Sequence, residues 1–199
     1  MRIVCISDTH GMHRNITVPD GDVLIHAGDG TGLGQLREVV DLNRWFGELP
    51  HHRKFFVPGN HDDLFMNDYD LAKLTLTNVT LLLDKMVAFH ADDKEWTIYG
   101  TPWVDTFRGW AFELPINLLS RKYDRIPKVD ILVTHNPPII LDDGKGNKHL
   151  SNVVNKRKPK LHVFGHIHEG YGQSGNSVNA SLCDYRYMPV NAPIVVEIK

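Results

Sequence analysis

Five times in this chain a short apolar run breaks off at a turn furnished with Asp, His or Asn. Ile3-Val4-Cys5-Ile6 stops at Ser7-Asp8-Thr9-His10-Gly11. Asp22-Val23-Leu24-Ile25-His26 stops at Ala27-Gly28-Asp29-Gly30-Thr31, and Lys54-Phe55-Phe56-Val57 at Pro58-Gly59-Asn60-His61-Asp62. Asp130-Ile131-Leu132-Val133-Thr134 stops at His135-Asn136-Pro137-Pro138, and Leu161-His162-Val163-Phe164 at Gly165-His166-Ile167-His168. An unbroken apolar run is the pattern of a strand covered on both faces. Between the second and third runs, Leu36, Val39, Val40, Asn43 and Phe46 fall near helical spacing. They predict a helix from about Gln35 to Leu49, closed by Pro50. This β-α-β rhythm specifies a layered α/β fold. Ligand sites of open α/β sheets lie outside the carboxyl ends of the strands, and the polar residues collect at those ends.

Other stretches are less determinate. Leu71–Leu76 reads as the end of a short helix. Residues 79–83, 86–89 and 96–100 read as three strands joined by hairpins. Trp103, Phe107, Trp110 and Phe112 form an aromatic group that is either core beneath a loop or a wall for a planar ligand. Residues 142–149 read as a polar, flexible loop, and Ser151 as the N-cap of a helix reaching Lys158. Residues 177–181 and 194–197 read as closing strands.

The chain has 199 residues, which favours one domain with a sizeable core. A net charge of -2 argues against a general nucleic-acid or membrane binder. The basic cluster Lys156-Arg157-Lys158-Pro159-Lys160 reads as the solvated end of a helix. Cys5 sits in an apolar run and Cys183 has no C-x-x-C partner, so no disulfide framework is expected. With no signal-peptide pattern and no run of membrane-spanning length, a cytoplasmic protein is expected. The triplets at Asn15, Asn78 and Asn179 are then not glycan sites.

The chain holds twelve histidines, and their placement at strand ends carries the chemistry. Singly, each strand-end residue has a plain reading. Asp8 or Asp29 caps a helix, Asn60 shapes a turn, His135 bonds backbone, and His10 is exposed. His166 and His168, two apart in a Gly-flanked turn, suit a metal better than a core. For five separate strand ends to acquire such a set by accident is improbable.

Asp8-Thr9-His10, Gly28-Asp29, Gly59-Asn60-His61-Asp62, His135 and Gly165-His166-Ile167-His168 resemble the ordered signature of the calcineurin-like metallophosphoesterases. Residues 96–115, 159–172 and 179–198 further resemble the metallophosphoesterase-domain-containing (MPPED) subfamily, some vertebrate members of which carry Gly at the position of His166. The resemblance implies two mixed β-sheets packed as a sandwich and flanked by α-helices, one domain over residues 1–199 without a cap domain. It implies two divalent transition metals, Mn foremost, with Fe, Co or Zn as alternatives. Asp8, His10, Asp29 and His168 would hold one, and Asp29, Asn60, His135 and His166 the other. It implies in-line attack on phosphorus by a hydroxide shared between the metals. His61 is the expected proton donor to the leaving oxygen, with Asp62 fixing its tautomer. Asn60 and His61 would also contact substrate; His13, Arg14 and Trp103 are further candidates, and His26 is placed to support a ligand. His51, His52 and His90 are expected at the surface. MPPED likeness implies phosphodiesterase activity on small phosphodiesters such as cyclic nucleotides, with nucleoside monophosphates as bound products. A phosphomonoesterase, a nuclease and a non-catalytic scaffold compete. All eight signature positions are filled, which disfavours the scaffold, and the absence of a basic groove disfavours the nuclease.

Overall fold

The computed structural model describes residues 1–139 and 145–199. In chain order it contains β1 (Arg2–Ile6), β2 (Val23–His26), α1 (Leu36–Glu48), β3 (Arg53–Phe56), α2 (Leu64–Asn67), α3 (Tyr69–Thr75) and β4 (Thr80–Leu81). The hairpin β5 (Lys85–Ala91) and β6 (Lys94–Thr101) follows, then the short β7 (Val104–Asp105) and β8 (Glu113–Leu114). Next come α4 (Ile116–Asp124), β9 (Ile131–Thr134), α5 (Lys148–Arg157), β10 (Leu161–Phe164), β11 (Gly172–Ser174), β12 (Ser177–Asn179) and β13 (Ile194–Glu197).

β7 and β8 pair with each other in a two-stranded sheet, and the remaining strands form two mixed sheets. One runs β13-β1-β2-β3-β4, parallel except for β13; the other runs β11-β12-β10-β9-β6-β5, with β11 and β5 antiparallel to their neighbours. Side chains alternate across a strand, and here both faces are buried. Ile3, Cys5, Val23 and Ile25 meet Ile98, Ile131, Val133, Leu161 and Val163 between the sheets. Val4, Ile6, Leu24 and Phe56 pack outward on Val39, Leu42, Trp45 and Phe46 of α1. Tyr99 and Leu132 pack outward on Leu119 and Tyr123 of α4 and on Leu150 and Val153 of α5. The molecule is therefore a helix–sheet–sheet–helix sandwich, and the double cover explains the unbroken apolar runs. Among the described residues no helix is long and apolar enough to cross a membrane.

Several local expectations need correction. The three strands of residues 79–100 are not a meander. β4 extends the first sheet beside β3, and only β5 and β6 form a hairpin, in the second sheet. α5 begins earlier than Ser151, because the Asn147 side chain accepts the Leu150 amide at 2.9 Å and caps the helix. Of the loop expected over residues 142–149, residues 142–144 lie outside the described residues. His51 is buried, its Nε2 3.1 Å from the Pro19 carbonyl; His52 and His90 are exposed as expected.

Candidate metal centre

The residues after β1, β2, β3, β9 and β10 meet at one edge of the sandwich. Asp8, His10 and His168 offer ligand atoms within 4.8 Å of one another, and so do Asp29, His135 and His166. His10 and Asp29 also group with His61. Asp29 Oδ2 links the clusters, 3.8 Å from His10 Nε2 and 3.3 Å from His135 Nε2. Asn60 Oδ1 stands 3.0 Å from His135 Nε2. All seven expected ligands therefore converge.

The local backbone is strained to achieve this. Asp8 (φ 53°), His10 (φ 44°), Asp29 (φ 52°) and His166 (φ 69°) all lie in the left-handed region. Non-glycine residues seldom adopt it, and such strain, about 1–3 kcal/mol per residue, clusters at functional sites. Two glycines permit the close approach. A Cβ on Gly165 would collide with the Asp8 carboxylate and the Ser7 hydroxyl, and one on Gly59 with Asp29 and the His135 ring.

The outer atoms of Asp8, His135 and His168 are tied down. Asp8 accepts the His166 amide at 3.0 and 3.1 Å and the Ser181 hydroxyl at 2.8 Å. His135 Nδ1 donates to the Ala27 carbonyl and His168 Nδ1 to the Asp184 carbonyl, each at 2.8 Å. A carbonyl can only accept, so in both neutral rings the lone pair is on Nε2 and faces the centre. For His135 that lone pair confronts the oxygens of Asn60 and Asp29. For His168 it confronts Asp8 Oδ1 at 3.4 Å and His10 Nε2 at 3.2 Å. Acceptors crowded in this way need something positive among them, and the donor set of carboxylate, imidazole and amide oxygen suits a divalent transition metal.

The titration behaviour agrees. Burial alone would lower both histidines, yet the Asp29 carboxylate pushes His135 up to about 9 and the Asp8 carboxylate pushes His168 up to about 9. Burial would raise Asp8 and Asp29, but their histidine partners hold both below the ordinary carboxyl value. His10 and His166, against which burial prevails, fall to about 4.

His61 lies beside the clusters, its ring centroid 4.6 Å from that of His10. Its Nδ1 bonds the Gly32 carbonyl at 2.8 Å, which leaves Nε2 free. The expected contact with Asp62 is absent. The Asp62 carboxylate instead accepts the amides of Gly59 (2.8 Å), Gly30 (3.2 Å) and Thr31 (2.9 Å) and the Thr31 hydroxyl (2.7 Å). It pins the turn after β3 to the turn after β2, so Asp62 acts on His61 through the backbone. Burial and the neighbouring Asp29 push its carboxyl up to about 6.

Three further expectations fail. His13 Nε2 and the Arg14 guanidinium both bind Asp41, and Arg14 also binds Glu48, so neither is free for phosphate. Trp103 turns into the core, its Nε1 donating to Asp84 at 2.8 Å and its ring packing on Phe112. The aromatic group thus splits, with Trp103 and Phe112 beneath the loop and Phe107 and Trp110 lining the cavity. His26 supports the centre indirectly: its Nε2 lies 3.0 Å from the hydroxyl of Thr9, the residue between Asp8 and His10.

The cavity over the centre encloses about 610 Å³ and is lined also by Asp105, Arg108, Glu113, Glu169 and Tyr187. Tyr187, missed in the sequence, sits 4.4 Å from the His10 ring. The only sequence signal for it was the aromatic pair flanking Arg186 in an otherwise unassigned polar stretch.

This sandwich, with such a centre at its strand ends, defines the class of metal-dependent phosphoesterases. The chain belongs to the calcineurin-like phosphoesterase family, whose model matches residues 1–170; the family implies divalent metal ions. It is similar to human Metallophosphoesterase domain-containing protein 1, at 42% identity over 99% of this chain and 71% of that protein. It is also similar to a UPF0046 protein of Caenorhabditis elegans, at 37% identity over 100% of this chain and 81% of that one. In fold it resembles TT1561 of Thermus thermophilus, with a TM-score of 0.62 at 15% identity over 89% of this chain and 88% of that one.

Proposed function

We propose that residues 1–199 act as one catalytic domain, a phosphodiesterase for small phosphodiesters such as cyclic nucleotides. The observation that carries this is the convergence of Asp8, His10, Asp29, Asn60, His135, His166 and His168, with imidazole lone pairs aimed at oxygen acceptors. Asp8, His10, His168 and Asp29 would hold one cation, and Asp29, Asn60, His135 and His166 a second, Asp29 serving both. Mn suits the mixed donor set, with Fe, Co or Zn as alternatives. Bound there, such cations supply Lewis acidity toward a phosphoryl oxygen and an activated water. His61, its ring oriented by the Nδ1–H bond to the Gly32 carbonyl, would act as the imidazolium, giving its Nε2 proton to the leaving oxygen and returning to the neutral ring.

The preference for a diester rests on the charge of the rim. Among the described residues, Asp105, Glu113 and Glu169 line the cavity against one cation, Arg108. A second negative charge on a monoester would meet repulsion that a diester monoanion largely avoids. The same acidic rim disfavours a polyanionic nucleic acid. Two unpaired, buried cysteines favour a reducing, cytoplasmic setting.

The test is a phosphoester panel with Mn-loaded protein: bis-p-nitrophenyl phosphate, p-nitrophenyl phosphate, and 2',3'- and 3',5'-cyclic nucleotides. The expected result is a higher kcat/KM on the diesters, abolished by chelation. Preference for the monoester would overturn the diesterase reading, and hydrolysis indifferent to chelation would overturn the metal centre.

A further inference from the structure

Tyr187 stands at φ 60°, a backbone conformation in which a bulky side chain is an outlier. Its ring roofs the centre, with centroid distances of 4.4 Å to His10, 5.6 Å to His61 and 6.0 Å to His168. The turn beneath it is tightly built. The Asp184 carboxylate accepts the amides of Arg186 at 2.9 Å and Met188 at 3.0 Å. The Asp184 carbonyl accepts both the Tyr187 amide at 2.9 Å and His168 Nδ1 at 2.8 Å. One oxygen thus ties the roof to a candidate ligand. On another side of His61 stands Trp110, 4.2 Å away with its ring at 77°. The Arg108 guanidinium lies over that indole, 5.7 Å from its centroid.

We propose that Tyr187 is a specificity-determining residue that forms, with Trp110, a slot flanking His61 for a flat ring in the ester group of the substrate. The inference rests on the phosphoesterase reading above. His61 is the expected donor to the leaving oxygen, and both rings pack against His61 and line the cavity that whatever this oxygen carries must enter. A strained residue persists only where its surroundings hold it, and such strain concentrates at ligand clamps. Glycine would occupy the position without strain, so the side chain that the turn holds in place is the feature to be explained. An edge or face of an aromatic ester meets complementary aromatic surfaces there; a methyl ester meets none of comparable area.

The experiment titrates Mn-loaded protein with phenyl phosphate and with methyl phosphate by calorimetry, alongside metal content and Tm. Wild type is expected to bind phenyl phosphate more tightly. Tyr187→Gly should weaken phenyl phosphate by about fivefold or more while leaving methyl phosphate nearly unchanged, with metal content intact and Tm not lowered. Tyr187→Phe should keep the preference. A Tyr187→Gly protein that retains the preference overturns the proposal. So does one in which both ligands weaken alike and Tm falls, because the ring would then serve packing alone. Wild type that hydrolyses bis-p-nitrophenyl phosphate yet binds the two ligands equally sinks the slot alone; wild type with no phosphoesterase activity sinks the reading beneath it.

Discussion

The floor and the rim of this cavity are built in different ways. The floor is a set of side chains fixed at the ends of β1, β2, β3, β9 and β10, five of the seven buried and His166 and His168 half-buried, four of them on a strained backbone. The rim is two surface turns, each gathered by a single carboxylate. Glu113 accepts the amides of Phe107, Arg108 and Gly109 at 2.7 to 3.1 Å, and Asp184 accepts those of Arg186 and Met188. The floor takes its precision from the sandwich; the rim takes its precision from local hydrogen bonds. On the proposed reading, chemistry common to a class belongs to the first, and choice of ester group to the second. Substitutions in the floor should therefore remove turnover, and substitutions in the rim should redistribute it among substrates.

Asp29→Ala gives the largest expected effect. Its Oδ2 stands between His10 and His135, and its Oδ1 accepts the His61 amide at 2.8 Å. The variant should lose bound metal together with all measurable phosphoesterase activity. A fully metallated, active protein on elemental analysis would separate Asp29 from the floor.

His61→Ala should keep its metal and lose about 10²–10⁴-fold in kcat. The loss should shrink for esters with good leaving groups, which need no donated proton. A loss independent of leaving-group pKa, measured over a series of aryl esters, would place His61 with the binding groups of the rim.

The third effect is a pH dependence confined to the floor. In the metal-free protein His135 and His168 are raised from 6.5 to about 9, the carboxylates of Asp29 and Asp8 overcoming burial. Each ring holds its proton more firmly folded than unfolded. The resulting stabilisation is complete below pH 6.5 and is lost as pH rises through 9. The Tm of the chelated protein should therefore fall across that window. The Mn-loaded protein should change less, since the cation replaces the protons. Equal Tm profiles with and without metal would mean that these rings do not face the carboxylates as described.

The same contrast governs what the sequence could reveal. β1, β2, β3, β9 and β10 were legible because a strand buried on both faces is almost wholly apolar, so its end is sharp; the buried His162 inside β10, 2.9 Å from the Thr134 hydroxyl, is the exception. Asp8, His10, Asp29, Asn60, His135, His166 and His168 were legible as the residues at those ends. Asp62 was read as a partner of the His61 ring, yet its carboxylate is consumed by four donors from its own and a neighbouring turn. Nothing in the order Asn60-His61-Asp62 specifies which donors it meets. Trp103 and Trp110 have the same composition and similar neighbours; Asp84 captures one indole, and the Glu113-gathered turn presents the other. α4 was not read at all, since its apolar residues sit in a short mixed segment. Tyr187 depends on a turn whose Asp184 carbonyl accepts from the His168 ring, 16 residues away in the chain, a pairing no local pattern encodes.

The smallest expected effect tests the rim by itself. Glu113→Gln keeps the shape of the side chain and removes its charge, weakening the bonds to the amides of Phe107, Arg108 and Gly109. A loss of about 1 kcal/mol in the order of that turn corresponds to roughly fivefold in affinity. It should appear as a higher KM for bis-p-nitrophenyl phosphate, with kcat and metal content nearly unchanged, because the turn touches no candidate ligand. Against partial burial, those amides hold the Glu113 carboxyl below its ordinary value of 4.5. Its contribution is therefore present above that value and is lost as pH falls through the depressed one. The wild-type KM should accordingly be flat above pH 5 with respect to this group. A Glu113→Gln protein that lost kcat in proportion to its metal would show that rim and floor are mechanically one unit.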